Sequence, residues 1–124
     1  MKIEVSNGEI FDKLSILEVK NQKLTNKLKL EYVAKEYSYL QEIISQINFS
    51  LEDEVYKSLR DINFRLWDIE DEIRLKEEEE DFGARFIELS RLIYKLNDER
   101  YRLKNKINIH TGSNFKEQKG HKET

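Results

Sequence analysis

The chain has 124 residues, of which 38% are charged and 38% hydrophobic, with a net charge of −3, no proline and no cysteine. That length fits one domain with a modest core, and the missing cysteine excludes disulfides, thiolate metal sites and cysteine nucleophiles and fits a reducing compartment. An ordinary chain holds about 5% proline, so its absence beside abundant Leu, Ile, Glu and Lys predicts long uninterrupted helices, while the small negative charge offers no general attraction to nucleic acid or an anionic membrane.

The first residues, Met1 to Ser6, lack the apolar core of a signal peptide, and no run approaches the roughly 18 apolar residues of a membrane span. A soluble, cytoplasmic protein with no membrane partner is expected. Ile3 and Val5 alternate with polar residues, as in a short extended arm. Ser6 and Glu9 match the Ser-x-x-Glu capping box, so a helix starts near Asn7. Its apolar stripe runs Ile10, Leu14, Leu17, then Asn21, then Leu24. That phase fails at Glu31, Lys35 and Ser38, and a new stripe takes over from Leu30 through Val33, Tyr37, Leu40, Ile44 and Ile47. The break places a turn at Thr25 to Lys27.

Ser50 is read as opening a third helix, with Glu52, Asp53 and Glu54 in its first turn, where the helix dipole favours anions. Its stripe is Val55, Leu59, Ile62, Leu66, Ile69 and Ile73. The run Glu77 to Asp81 forms a charged end and turn, and Asp81 is expected to cap a fourth helix with the stripe Phe82, Phe86, Leu89, Ile93, Leu96, Arg100, Leu103 and Ile107. Gly112 suits the left-handed residue that ends a helix. Residues 113–124 are polar and read as a flexible tail.

Within each pair of stripes the apolar positions fall level when the chain is folded back at Lys27 or at Asp81. An all-α protein follows: residues 1–112 form one antiparallel helical bundle made of two long hairpins. The 3.5-residue repeat could also be completed by a second subunit, giving a homo-oligomer.

Two polar residues interrupt the stripes, Asn21 and Arg100. A buried guanidinium left unpaired costs several kcal/mol, so Arg100 calls for carboxylates, amides or a bound anion, with Glu18 the first candidate and Asn63 and Tyr37 next. Beside the seam lie Asn63, Trp67, Glu70 and Arg74 on the third helix, and Tyr94, Asn97, Tyr101, Lys104 and Asn108 on the fourth. Such a layer fits a satisfied network that fixes register or a pocket for a small polar or anionic ligand. Trp67 could be plain packing, its indole N–H turned toward Asn97. Glu70 and Arg74 could be a surface pair contributing a few tenths of a kcal/mol.

Asp68, Asp71 and Glu72 invite a magnesium reading like that of all-helical nucleotide pyrophosphohydrolases. The fourth helix, however, supplies Glu88 and Asp98 rather than a second acidic pair one turn apart, and the first three carboxylates point outward. Neither metal nor cofactor is expected. His110 and His121 are poorly placed for a dyad, the four glycines form no phosphate loop, and no serine has a plausible base. Lysines 13, 20, 23 and 27 make a basic strip with Tyr32 nearby, better read as a solvated face than as a nucleic-acid surface.

The motifs Glu4-Val5-Ser6, Gly8-Glu9, Asp12-Lys13-Leu14, Ile16-Leu17-Glu18 and Lys20 together resemble an uncharacterised family of short helical proteins from bacteria and their phages. The resemblance continues through Asn63, Leu66-Trp67, Ile69-Glu70-Asp71 and Ile73-Arg74. It resumes at Tyr94, Asn97-Asp98, Arg100, Lys104, Ile107-Asn108 and Gly112-Ser113, and touches Glu117 and Lys119. It implies no activity. It does imply that the polar positions belong to a shared pattern, and that the tail folds back, against its composition.

The reading that joins these observations is a small helical bundle whose polar layer binds a small polar or anionic ligand, or an equivalent group on a partner protein. Arg100 would supply the main anion contact and Lys104 further charge. Glu18, Asn63, Asn97 and Glu70 would orient the ligand, and Trp67 would wall the site. A structural or oligomerisation adaptor without ligand and a metal-dependent nucleotide phosphohydrolase are the alternatives, so whether the protein is an enzyme stays open.

Overall fold

The computed structural model describes residues 2–112, and the expectations for the tail 113–124 lie outside the described residues. Four helices follow one another, α1 (Asn7–Lys23), α2 (Lys27–Ile44), α3 (Glu54–Glu78) and α4 (Ala84–Thr111). No strand occurs among the described residues, and none of their helices is long and apolar enough to cross a membrane.

The local signals explain most of the boundaries. Ser6 caps α1, its Oγ accepting the Glu9 N–H at 3.2 Å. Asn26 caps α2 in the same way through the Lys29 N–H. Gly112 ends α4 with φ 66°, a left-handed conformation that glycine adopts without a Cβ penalty. Two caps move from their expected places. Ser50 closes a turn by accepting the Glu52 N–H, and it is Asp53 that caps α3 through the Val55 N–H. Asp81 likewise accepts the Gly83 N–H two residues on, so Gly83 stands at the N-cap and α4 begins at Ala84. Short Ser and Asp side chains serve turns as readily as caps.

The two antiparallel hairpins are present, but their four helices are not equal neighbours. α1 lies against both α3 and α4, which also pack on each other, while α2 packs on α1 alone. The burial pattern gives the reason. α1 buries Gly8, Phe11, Asp12, Leu14, Ser15, Leu17 and Val19, a face wide enough for three neighbours, whereas α2 buries only Val33, Leu40 and Ile44.

The core joins Phe11, Leu14 and Leu17 to Tyr56, Leu59, Ile62 and Leu66 and to Leu96, Leu103 and Ile107. Each of these side chains contributes about 1.5–3 kcal/mol by leaving water. Phe11 meets Phe49 and Tyr56 edge-on, with ring centroids 5.1 and 6.0 Å away. Because α1 has 17 residues against 25 and 28 for α3 and α4, the outer part of the α3/α4 hairpin runs on past α1 as an arm. The Lys23–Asp68 ion pair at 2.6 Å ties the end of α1 to the base of that arm.

Candidate functional site

Helical spacing places Gly8, Asp12, Ser15 and Val19 on one stripe of α1, on the side opposite the apolar stripe Ile10, Leu14 and Leu17. All four are buried. Asp12 is 1% exposed, and its carboxylate is the charge that meets Arg100. The guanidinium of Arg100 donates from Nε to Oδ1 at 2.9 Å and from Nη2 to Oδ2 at 2.5 Å, the two-pronged geometry that makes Arg–carboxylate bonds strong. Asn63 on α3 donates from Nδ2 to the same Oδ1 at 3.0 Å and to Ser15 Oγ at 2.7 Å. Ser15 in turn donates its hydroxyl proton to the Asp12 carbonyl at 2.7 Å. One carboxylate thus draws together α1, α3 and α4.

This network leaves one atom over. Asn63 is 6% exposed. Both of its amide donations come from Nδ2, and its Oδ1 receives no donor among the described residues. Turning the amide round would not help: Asp12 has no proton to give and Ser15 has spent its own. An uncompensated buried carbonyl costs about 1–3 kcal/mol, so this acceptor can take one more donor than the described residues supply.

Asn63 lines a cleft of about 190 Å³ together with Trp67, Glu70 and Arg100, over an apolar floor of Ile16, Val19 and Leu66. Four of the seven residues expected at the site therefore share one opening. Asn97 stands beside Arg100: its Oδ1 accepts from Arg100 Nη1 at 3.4 Å rather than from the Trp67 indole, and its Nδ2 donates back to the Ile93 carbonyl. Lys104 lies further along α4, where its Nζ sits 2.9 Å from Glu9 and 3.9 Å from Asp12.

The remaining expected residue, Glu18, is placed elsewhere. It accepts the Tyr56 hydroxyl at 2.5 Å and lines a groove of about 400 Å³ between α1 and α2 with Asn21, Val33 and Tyr37. Burial, reinforced by the bond to Glu18, pushes the Tyr56 hydroxyl pKa far above its ordinary value. Tyr37 moves the same way, for burial first and Glu18 second. Glu18 is thus not the partner of Arg100. Six residues on, it projects from a different side of α1 than Asp12 does. Asn21 occupies no core position either, being exposed in the same groove.

Ser15 escaped sequence reasoning altogether, and Gly8 and Asp12 entered it only as members of the family pattern, with no place at the site. Their signal was available in the 4, 3, 4 spacing of Gly8, Asp12, Ser15 and Val19. Gly8 earns its place by proximity, since a Cβ there would fall closer than 3 Å to the Lys104 carbonyl oxygen. Its N–H, unsatisfied within the first turn of α1, donates instead to Asn108 Oδ1 at 2.6 Å. Asn7 Nδ2 donates to Thr111 Oγ1 at 2.9 Å, closing the same end.

The acidic stretch on α3 is engaged in ion pairs on the outer face. Asp68 holds Lys23, and Glu72 takes Arg85 on both oxygens at 2.6 Å. That bond holds the Glu72 carboxyl below its usual range and raises the Arg85 guanidinium. Among the described residues no three His, Cys, Asp or Glu side chains are grouped to hold a metal ion.

No curated protein and no solved structure matches this chain. A family does match, along the whole of residues 1–124, and it takes in every residue of the Asp12 network and of the cleft: the chain belongs to the family of unknown function DUF6165.

Proposed function

We propose that the protein is a recognition module whose cleft between α1, α3 and α4 takes a small polar group bearing N–H donors. The observation that carries this reading is the buried Asn63 Oδ1, which has no donor among the described residues although Asn63 lines the cleft. The Glu70 carboxylate offers a second acceptor at the same opening, and Trp67 gives an aromatic wall on which a flat or cationic group can lie. Arg100 has its charge balanced by Asp12, so it supports a ligand acceptor by hydrogen bonding rather than by a bare positive charge. This weights the ligand toward amines, amidines, amides and nucleobases and away from simple anions.

Size narrows the class further. Drug-sized ligands occupy about 300–1,000 Å³, and a cleft of about 190 Å³ is smaller than that. It suits one amino-acid side chain or one heterocycle, whether free or displayed on a partner protein. The same network underneath keeps the cleft walls from rearranging, which lowers the ordering cost of binding.

The test is a thermal-shift screen of the full chain against amines, guanidines, amides and nucleobases, with phosphate and simple carboxylates as anion controls. A ligand at a hundred times its Kd adds about 2.7 kcal/mol, which reads as a rise of several degrees for a domain of this size. The expected hit carries N–H donors, changes the Trp67 fluorescence and is lost in Glu70→Gln while surviving Glu79→Gln. A panel in which only the anions stabilise, or in which nothing does, contradicts the proposal.

A further inference from the structure

We infer that the arm formed by the outer parts of α3 and α4 is a dimerisation element, pairing antiparallel with the arm of a second copy of this chain. Where α1 ends, α3 and α4 run on together with no further described helix packed against them. Ile69, Ile73, Phe86 and Ile93 are only partly buried there, and Ile87 and Tyr94 are 52% and 57% exposed. Ile87 and Tyr94 stand seven residues apart, so they share one face of α4. Ile69 and Ile93 pack against the edge of the main core, and Leu89, wholly buried but outside that core, carries the packing of α3 on α4 further along the arm. From Ile69 to Glu78 the arm reaches about 15 Å at the rise of an α-helix.

Charge selects the second copy as the occupant. Residues 70–81 hold eight carboxylates and two basic residues, and Glu77 to Glu80 make no ion pair among the described residues. The α1/α2 corner, residues 20–29, carries Lys20, Lys23, Lys27 and Lys29 and no acid. Of these, Lys23 alone is paired among the described residues, with Asp68 at the base of the arm. In an antiparallel pair the tip of each arm lies at the base of the other, so the acidic tip of one copy meets the lysine corner of its partner twice, about a two-fold axis. The apolar residues between these ends form the seam of an intermolecular four-helix bundle. Charge thereby fixes the antiparallel direction while Ile87, Tyr94, Phe86 and Ile73 supply the buried area.

Analytical ultracentrifugation of the full chain across a wide concentration range tests this. A reversible monomer–dimer equilibrium is expected, weakened by salt and weakened at least about tenfold by Ile87→Glu, with the circular dichroism of that variant unchanged. Lys27→Glu/Lys29→Glu should weaken the dimer, and adding Glu78→Lys/Glu79→Lys on the same chain should restore it, because both ends then change sign together. A monomer at every concentration assigns the face to a different protein and overturns the inference. A dimer indifferent to Ile87→Glu, or one that the second charge reversal fails to rescue, overturns it equally.

Discussion

A guanidinium largely withdrawn from water is costly until a carboxylate meets it, and Asp12 meets Arg100 along two bonds while itself almost fully buried. Removing one partner of such a pair costs about 3–5 kcal/mol when both are buried; the 27% exposure of the Arg100 side chain lowers the expectation to about 2–3 kcal/mol for Asp12→Asn. Arg100→Leu alone should cost at least as much, because it leaves the almost fully buried Asp12 carboxylate with only the Asn63 amide and Lys104 at 3.9 Å among the described residues. The double variant Asp12→Leu/Arg100→Leu should be more stable than the sum of the single losses, as residues in one network are not additive. Urea unfolding midpoints for the four proteins check this. At Tyr56 the expectation concerns pH. Its hydroxyl is held protonated by burial and by Glu18, so its folded pKa lies above the unfolded value of 10.0. The stabilisation is complete below that value and falls away as the pH rises beyond it. Tyr56→Phe should therefore lower stability by about 1 kcal/mol near neutrality and flatten the loss above pH 10, measured as melting temperature against pH. Arg100 was legible in the sequence because it breaks an apolar stripe. Asp12 stood out less, since it lies on the side of α1 opposite the apolar stripe, where a carboxylate looks like part of a solvated face and only the 4, 3, 4 spacing with Gly8, Ser15 and Val19 marks it.

Among the elements, α1 carries most of the architecture. Its N-terminal turn lies so near α4 that only hydrogen fits at Gly8, and Asn108 from α4 completes its capping. Gly8→Ala should push the two helices apart and cost about 1–3 kcal/mol, the range for overpacking a tight contact, with the urea midpoint falling and the slope unchanged. A loss below about half a kcal/mol would show that α4 yields there easily. The helices themselves were legible from period and caps: Ser6 and Gly112 act where their chemistry places them. Ser50 and Asp81 were misplaced by a few residues because their side chains close turns before the helices begin.

For the whole molecule, the level pairing of apolar positions within each hairpin carried the two-hairpin, all-α architecture, because a heptad seam constrains its immediate partner. It could not tell how one hairpin sits on the other. That depends on the second stripe of α1, Gly8, Asp12, Ser15 and Val19, whose small and polar members allow close approach without looking hydrophobic. The same limit explains the site. Asn63, Trp67 and Glu70 share a face of α3 by spacing alone and Arg100 comes level with them through the hairpin register, whereas the exclusion of Glu18 follows from the rotation of α1 within the groove. The proposed binding site is that cleft, set over the Asp12 network. Trp67 is the only tryptophan, so its indole N–H gives one cross-peak in a ¹H–¹⁵N spectrum and reports on the cleft by itself. Titrated with the N–H-bearing hit from the thermal screen, that peak should move saturably in the native protein and stay still in Glu70→Gln. If the ligand instead shifts amides of the arm or of the α1/α2 groove while the Trp67 peak does not move, the cleft is not the site.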